Sequence, residues 1–292
     1  MSRIAFALMW LLHFLPLRAI AAIGNALGSA LFWLIPERRR VTRINLEKCF
    51  PRMDPRERET LARAHFRALS RSFLELALVW WAPPERLRRL VRIEGVEHLR
   101  GLGATPAILF VPHFVGLEFG GTCLASELRS ELRMVTMYAR QKDRHFAERL
   151  IRSRGRFGDQ KLFSRQEGIR AAIAGMREGR AFYYMPDQDY GPRGALFVPF
   201  FGVPAATMPS LSRIARLAGA KVLPCVTRML PGGAGYVLTI EPPWENFPTP
   251  DLAADTRRMN EYIERKVLEM PEQYLWMHKR FKTRPAGEPR FY

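Results

Sequence analysis

A chain of 292 residues that is 48% hydrophobic can bury a substantial core in one large or two small domains. Its formal charge of +18 favours anionic partners (nucleic acid, an anionic membrane or an acidic protein) without choosing among them. No zinc-finger spacing occurs and no stretch reads as a groove-entering helix, which leaves nucleic acid unsupported. The three cysteines (Cys49, Cys123, Cys225) form no CxxC pair and no disulfide framework, so a reducing compartment is expected.

Residues 4–35 are strongly apolar, with interruptions at His13, Pro16, Arg18 and Asn25. As a helix, residues 19–35 would rise about 25 Å, slightly short of a hydrocarbon core. One tilted span and a shallow hairpin in one leaflet both fit, and Gly24 with Gly28 would let two helices approach closely. A cleaved signal peptide competes, since Arg3 precedes the run, but the apolar stretch resumes beyond any cleavage point. A buried hairpin in a soluble protein is the other alternative. Arg38, Arg39, Arg40 and Arg43 follow at once, against Arg3 alone before the segment. By the positive-inside rule the remainder lies in the cytoplasm. Residues 1–35 are therefore expected to attach the protein to the inner face of a membrane.

Residues 36–105 read as a helical and connecting part. Asp54, Pro55 and Glu57 form a helix start. An apolar stripe at helical spacing follows, through Leu61, Phe66, Leu69, Phe73 and Leu76 to Trp80–Trp81. That tryptophan pair suits either a membrane interface or a core. Residues 106–292 then alternate strands and helices. Strands are expected at 106–112, 132–139, 180–186, 221–227 and 235–241, and helices near 117–130, 143–154, 165–178 and 207–219. Ser164 and Glu167 form a capping box, and Gly179 ends that helix. Buried strands separated by helices imply an α/β fold with a central mixed sheet flanked by helices.

His113 then falls at the carboxyl end of a strand, where open α/β sheets gather ligands. Glu118 falls in the first turn of the next helix, where the dipole favours a carboxylate. A turn between them could bring the two side chains together, with the carboxylate holding one ring nitrogen protonated and the other free to accept a proton. A satisfied, partly buried histidine is the competing account. Asp187 and Asp189, in "PDQDYGPRG", also follow a strand, and two aspartates at that spacing could hold a divalent metal.

The stretch "HFVGLE" resembles the histidine–four residues–acidic signature of glycerolipid-type acyltransferases. More narrowly, the chain resembles the late acyltransferases of lipid A biosynthesis. Further likenesses are "NLEKCFP" (45–51), "GRF" (155–157), "YYMPDQDYGPRGALFVPFFG" (183–202) and "PEQYLWMHKRFKTRP" (271–285). They run nearly end to end. The resemblance implies transfer of a fatty acyl chain from a thioester, usually on acyl carrier protein, to a hydroxyl of a phosphorylated glycolipid, with no acyl-enzyme, metal or cofactor. It implies His113 as the general base, Glu118 as the group that steadies the imidazolium, and Arg156 as a phosphate contact. It further implies Asp187 as an organiser of the site, through pairing with an arginine, Asp189 as a substrate-binding residue and Arg193 as an acceptor contact. The implied location is the cytoplasmic face of the inner membrane. Acylation of another lipid, such as a lysophospholipid or ornithine lipid, is the neighbouring alternative. A non-catalytic basic protein of membrane surfaces or nucleic acid is the distant one.

Overall fold

The computed structural model describes residues 3–139 and 143–292. The side chain of Arg3 lies outside that description. Four helices come first: α1 (Arg3–Leu12), α2 (Leu17–Leu34), α3 (Pro36–Cys49) and α4 (Pro55–Trp81). Short α5 (Pro84–Arg88), strand β1 (Val91–Glu94) and short α6 (Val96–Arg100) lead into β2 (Ala107–Phe110) and α7 (Leu117–Glu127). Next come β3 (Met134–Tyr138), α8 (Arg144–Arg154), β4 (Lys161–Ser164), α9 (Arg170–Arg177) and β5 (Ala181–Tyr184). The chain ends with β6 (Leu196–Phe200), β7 (Val203–Thr207), α10 (Ser210–Ala218), β8 (Lys221–Met229), β9 (Tyr236–Ile240) and α11 (Leu252–Glu269).

Seven strands form the central sheet in the order β1-β9-β8-β2-β5-β3-β4. Every neighbouring pair is parallel except β8 with β9, so the sheet is mixed as expected. Strands β2 and β5 are buried along their whole length, which explains their unbroken apolar sequences. The strand β1 precedes the boundary drawn at 105/106 yet pairs with β9, so the sheet begins earlier than that division implies. The strands β6 and β7 form a separate antiparallel hairpin. Phe197 there is exposed while Phe200 is fully buried, so "FVPFFG" alternates between solvent and core.

The helix α4 starts as its sequence dictates: Asp54 accepts a hydrogen bond from the Arg56 amide at 2.7 Å and Pro55 occupies the first turn. Over 27 residues it spans about 40 Å. It is the surface on which α2 lies. A Cβ added at Gly28 would stand 2.5 Å from Arg67 Cα, and one at Gly24 would stand 2.7 Å from Arg71 Cα. Only glycine permits this crossing, which buries Ile20, Ala21 and Phe32 of α2. The opposite face of α2 leaves Ile23, Leu27, Trp33 and Leu34 exposed, and α1 exposes Ile4, Leu8 and Leu11. The helix α2 is long and apolar enough to cross a membrane by length and composition, with a third of its residues buried in the protein. Trp80 is buried, whereas Trp81 is only partly so.

The capping box of Ser164 and Glu167 is present, but it closes a single 3₁₀ turn at Arg165–Glu167, and α9 starts afresh at Arg170. Gly168 between them has φ +77°, a left-handed conformation that breaks the helix expected across 165–178.

Candidate active site

The register of two neighbouring strands builds the site. Phe110 of β2 is paired with Tyr184 of β5, and the Val111 amide still donates to the Tyr184 carbonyl at 2.8 Å. Three residues beyond each partner stand His113 and Asp187. The two parallel strands therefore deliver both side chains to the same point at the sheet's carboxyl end. Asp187 Oδ2 accepts the His113 backbone amide at 2.9 Å, and Asp187 Oδ1 lies 2.5 Å from His113 Nδ1. Burial opposes a charge on Asp187, but the charge and both hydrogen bonds of His113 outweigh it and hold the carboxyl below its usual range. An ionised Asp187 fixes the proton on Nδ1 and leaves Nε2 as the proton acceptor.

The loop that carries His113 is clamped by the C-terminal segment. The Val115 amide donates to the Gln273 carbonyl at 2.9 Å, and the Leu275 amide donates to the His113 carbonyl at 3.1 Å. Phe114 bridges Tyr274, and the Ser72 hydroxyl of α4 donates to the Val115 carbonyl. Every backbone turn around the imidazole thus has a partner, as a rigid site requires.

Glu118 does occupy the first turn of α7, but it does not meet His113. Its Oε2 accepts from Arg154 Nε at 3.1 Å and its Oε1 from Arg154 Nη2, a two-pronged ion pair. Arg154 also donates to the Met137 carbonyl at 3.3 Å. The expected His113–Glu118 contact is therefore replaced by two pairs, His113–Asp187 and Glu118–Arg154. The physical reason is competition between partners: Asp187 takes the imidazole at Nδ1, and the Arg154 guanidinium of α8 takes both oxygens of Glu118.

Arg156 is not a member of the cleft wall. Its guanidinium donates to the carbonyls of Val79 at 2.9 Å and Ala82 at 2.5 Å, capping the C-terminus of α4. Asp189 is buried and gathers the C-terminal segment: it accepts from the Thr283 amide at 2.8 Å, the Thr283 hydroxyl at 2.9 Å and the Gly191 amide at 2.8 Å. Its own amide donates to His278 Nε2 at 3.1 Å. Burial, with Arg280 and His113 nearby, pushes the His278 imidazole down to about 4, so it is neutral where it accepts that bond. Arg193 is exposed on the loop that follows. Sequence reasoning missed Arg154 and His278. Arg154 differs from Arg156 only in lying before Gly155, where α8 ends.

His113, Glu118 and Arg154 open into one cleft of about 420 Å³. Apart from Ser70 and Ser72 its walls are otherwise apolar, with Leu27 and Leu31 of α2, Phe73 and Leu76 of α4, and Met277 of the C-terminal segment. The volume lies within the range of small-molecule sites, roughly 300–1,000 Å³. Among the described residues no group of three or more histidine, cysteine, aspartate or glutamate side chains is arranged to hold a metal ion.

A histidine oriented by a buried carboxylate, at the head of a largely apolar cleft, has the geometry that general-base chemistry requires. Comparison with known proteins shows the family. Residues 2–283 match the model of the bacterial lipid A biosynthesis acyltransferases. The chain is 33% identical to the lipid A biosynthesis lauroyltransferase of Escherichia coli K12, covering 99% of this chain and 94% of that one. It is 32% identical to the palmitoleoyltransferase of the same organism, covering 97% of this chain and 92% of that one. To the myristoyltransferase it is 33% identical, over 86% of this chain and 77% of the other. The protein belongs to the bacterial lipid A biosynthesis acyltransferase family and is an enzyme of the acyltransferase class.

Proposed function

We propose that the protein transfers a fatty acyl chain from an acyl thioester, carried on acyl carrier protein, to a hydroxyl of a lipid A precursor. The observation that carries this reading is the His113–Asp187 pair at the head of the apolar cleft, in a chain of this family. His113 Nε2 takes the hydroxyl proton as the alcohol oxygen attacks the thioester carbon. The carbon–sulfur bond breaks, the ester forms, and the imidazolium returns its proton to the departing thiolate. No acyl-enzyme and no cofactor enter the scheme. Asp187 stabilises the imidazolium between the two proton transfers, as the carboxylate of a catalytic triad does. Glu118 and Arg154 form a charged pair beside the reacting atoms, while Leu27, Leu31 and Phe73 receive the acyl chain. Arg193 stands free to meet the acceptor, and Asp189 secures the segment that closes the site.

The exposed apolar faces of α1 and α2 attach the enzyme to the cytoplasmic face of the inner membrane. Because α2 is seated on α4 through Gly24 and Gly28, we place it in the plane of one leaflet and not across the bilayer. The high positive charge serves an acidic carrier protein and a phosphorylated acceptor together.

The test is acyl transfer by purified protein from acyl carrier protein or coenzyme A thioesters to a lipid A precursor, with mass spectra of lipid A from cells lacking the gene. One acyl chain should vanish from those spectra, and His113→Ala should abolish transfer without unfolding the protein. Turnover should also survive chelation by EDTA, because both oxygens of Asp187 and both of Asp189 already accept hydrogen bonds. Unaltered lipid A with transfer to a lysophospholipid or ornithine lipid would redirect the acceptor. No transfer from any thioester would reject the activity.

A further inference from the structure

A second groove, of about 460 Å³, lies on the other side of α8 from the catalytic cleft. It is walled by Phe6 and Trp10 of α1, Trp81 of α4, and Arg149 and Arg152 of α8. The two arginines are three residues apart, and therefore share one helix face. Among the described residues neither has a carboxylate partner. Glu148, the one acid in the wall, is taken by Arg144 at 2.9 Å. The Arg149 guanidinium is stacked on the Trp81 ring at 4.5 Å, which holds it in place. Burial, and next the charge of Arg152, lower its proton affinity, the sign of a cation kept among apolar and like-charged neighbours. Two adjacent guanidiniums without an anion repel each other, and a phosphate with several acceptor oxygens would relieve both.

A continuous stack of rings lies between the groove and the cleft. Phe73 lines the cleft and stacks on Phe146 of α8 at 6.3 Å; Phe146 meets Trp80 at 5.9 Å, and Trp80 meets Trp81 at 5.4 Å. One helix separates the two spaces, on the order of 10 Å. An acceptor that reaches both spaces has to pass around α8, because packed rings fill the direct route.

We propose that this groove binds the phosphate end of the glycolipid acceptor, with Arg149 and Arg152 as its ligands and Trp10 and Trp81 as its walls. The inference rests on the acceptor class given under Proposed function and assigns its phosphate to residues other than Arg156.

The experiment compares a phosphorylated lipid A precursor with the same glycolipid after phosphatase treatment, each in detergent micelles. Arg149→Gln/Arg152→Gln should lower kcat/KM for the phosphorylated acceptor at least tenfold through KM. It should change that for the dephosphorylated one less than twofold, and leave binding to phosphatidylglycerol vesicles intact. Equal losses on both acceptors, no loss on either, or a matching loss of vesicle binding would each overturn the proposal. The single variant Arg152→Gln, at an exposed side chain, repeats the comparison if the double variant does not fold. Equilibrium binding to the two kinds of micelle is measured in parallel. A preference for phosphate that the variants abolish, in a protein that transfers no acyl chain, would uphold the groove while rejecting the enzymatic reading.

Discussion

His113 and Asp187 are joined twice, once through the ring and once through the backbone, so the carboxylate sets both the tautomer and the position of the imidazole. Replacing Asp187 by asparagine keeps the size but removes the charge that, in the proposed mechanism, stabilises the imidazolium. Asp187→Asn should lower kcat by about 10²–10⁴-fold, the scale of a lost orienting carboxylate, with KM for the thioester nearly unchanged. A variant retaining half the wild-type rate would remove Asp187 from the mechanism.

Glu118 and Arg154 are both largely buried, with 21% and 15% of their side chains exposed. Glu118→Gln leaves a guanidinium unpaired in an apolar wall and should cost up to about 3 kcal/mol of stability. Glu118→Gln/Arg154→Met should recover much of that loss. Denaturant unfolding of the three proteins measures it, and kinetics on the same samples separate a structural pair from a catalytic one. Activity restored in the double variant makes the pair a support for the cleft. Activity still absent places one of its charges beside the reacting carbon.

Acid should weaken the fold well above the carboxylate range. Burial lowers His65 to about 4, against a bond from its Nδ1 to the Glu272 carbonyl at 3.0 Å, and His278 is likewise held at about 4. As pH falls below about 6.5, the unfolded chain takes up a proton at each histidine that the folded chain refuses until about pH 4. Stability is therefore lost across that window, by about 1.4 kcal/mol per pH unit for each group. Asp187, held below its usual range, extends the loss to lower pH. In His65→Gln, the slope of unfolding free energy between about pH 6.5 and 4 should fall by one proton's worth. An identical slope would mean that His65 is charged in the fold.

The crossing of α2 over α4 leaves no room for a methyl group at Gly28. Gly28→Ala should lower stability by about 1–3 kcal/mol through overpacking, despite alanine's better helix propensity. It should also impair turnover, because Leu27 and Leu31 of the same helix line the cleft. Ser29→Ala, on the exposed side, should shift stability by less than about 0.5 kcal/mol. Matched melting temperatures for the two variants would contradict the close approach.

Much of the fold was legible in the chain, because buried parallel strands write themselves as apolar runs. The strands expected at 106–112 and 180–186 contain β2 and β5 and place His113 and Asp187 at their ends. The short edge strands β1 and β4 carry too few apolar residues to stand out. Pro199 and Pro204 disguise the hairpin β6–β7, where proline is tolerated because the pair lies outside the main sheet. The pairing of His113 with Asp187 was not legible at all. It depends on β5 lying beside β2, a neighbourhood created by three intervening crossovers and not by any local spacing. The same holds for Arg154 and Arg156: two residues apart, one turns inward and the other caps a distant helix.

The clamp between residues 273–283 and the catalytic loop gives the protein a built-in order of assembly. A nascent chain exposes its greasy first helices long before the ribosome has made Gln273, Leu275 and Thr283. Until those residues emerge, the loop bearing the imidazole lacks its bonds to Gln273 and Leu275, and Asp189 lacks those to Thr283. The first helices can therefore be complete before the site is, and the enzyme becomes able to react only once residues 273–283 have packed against the loop.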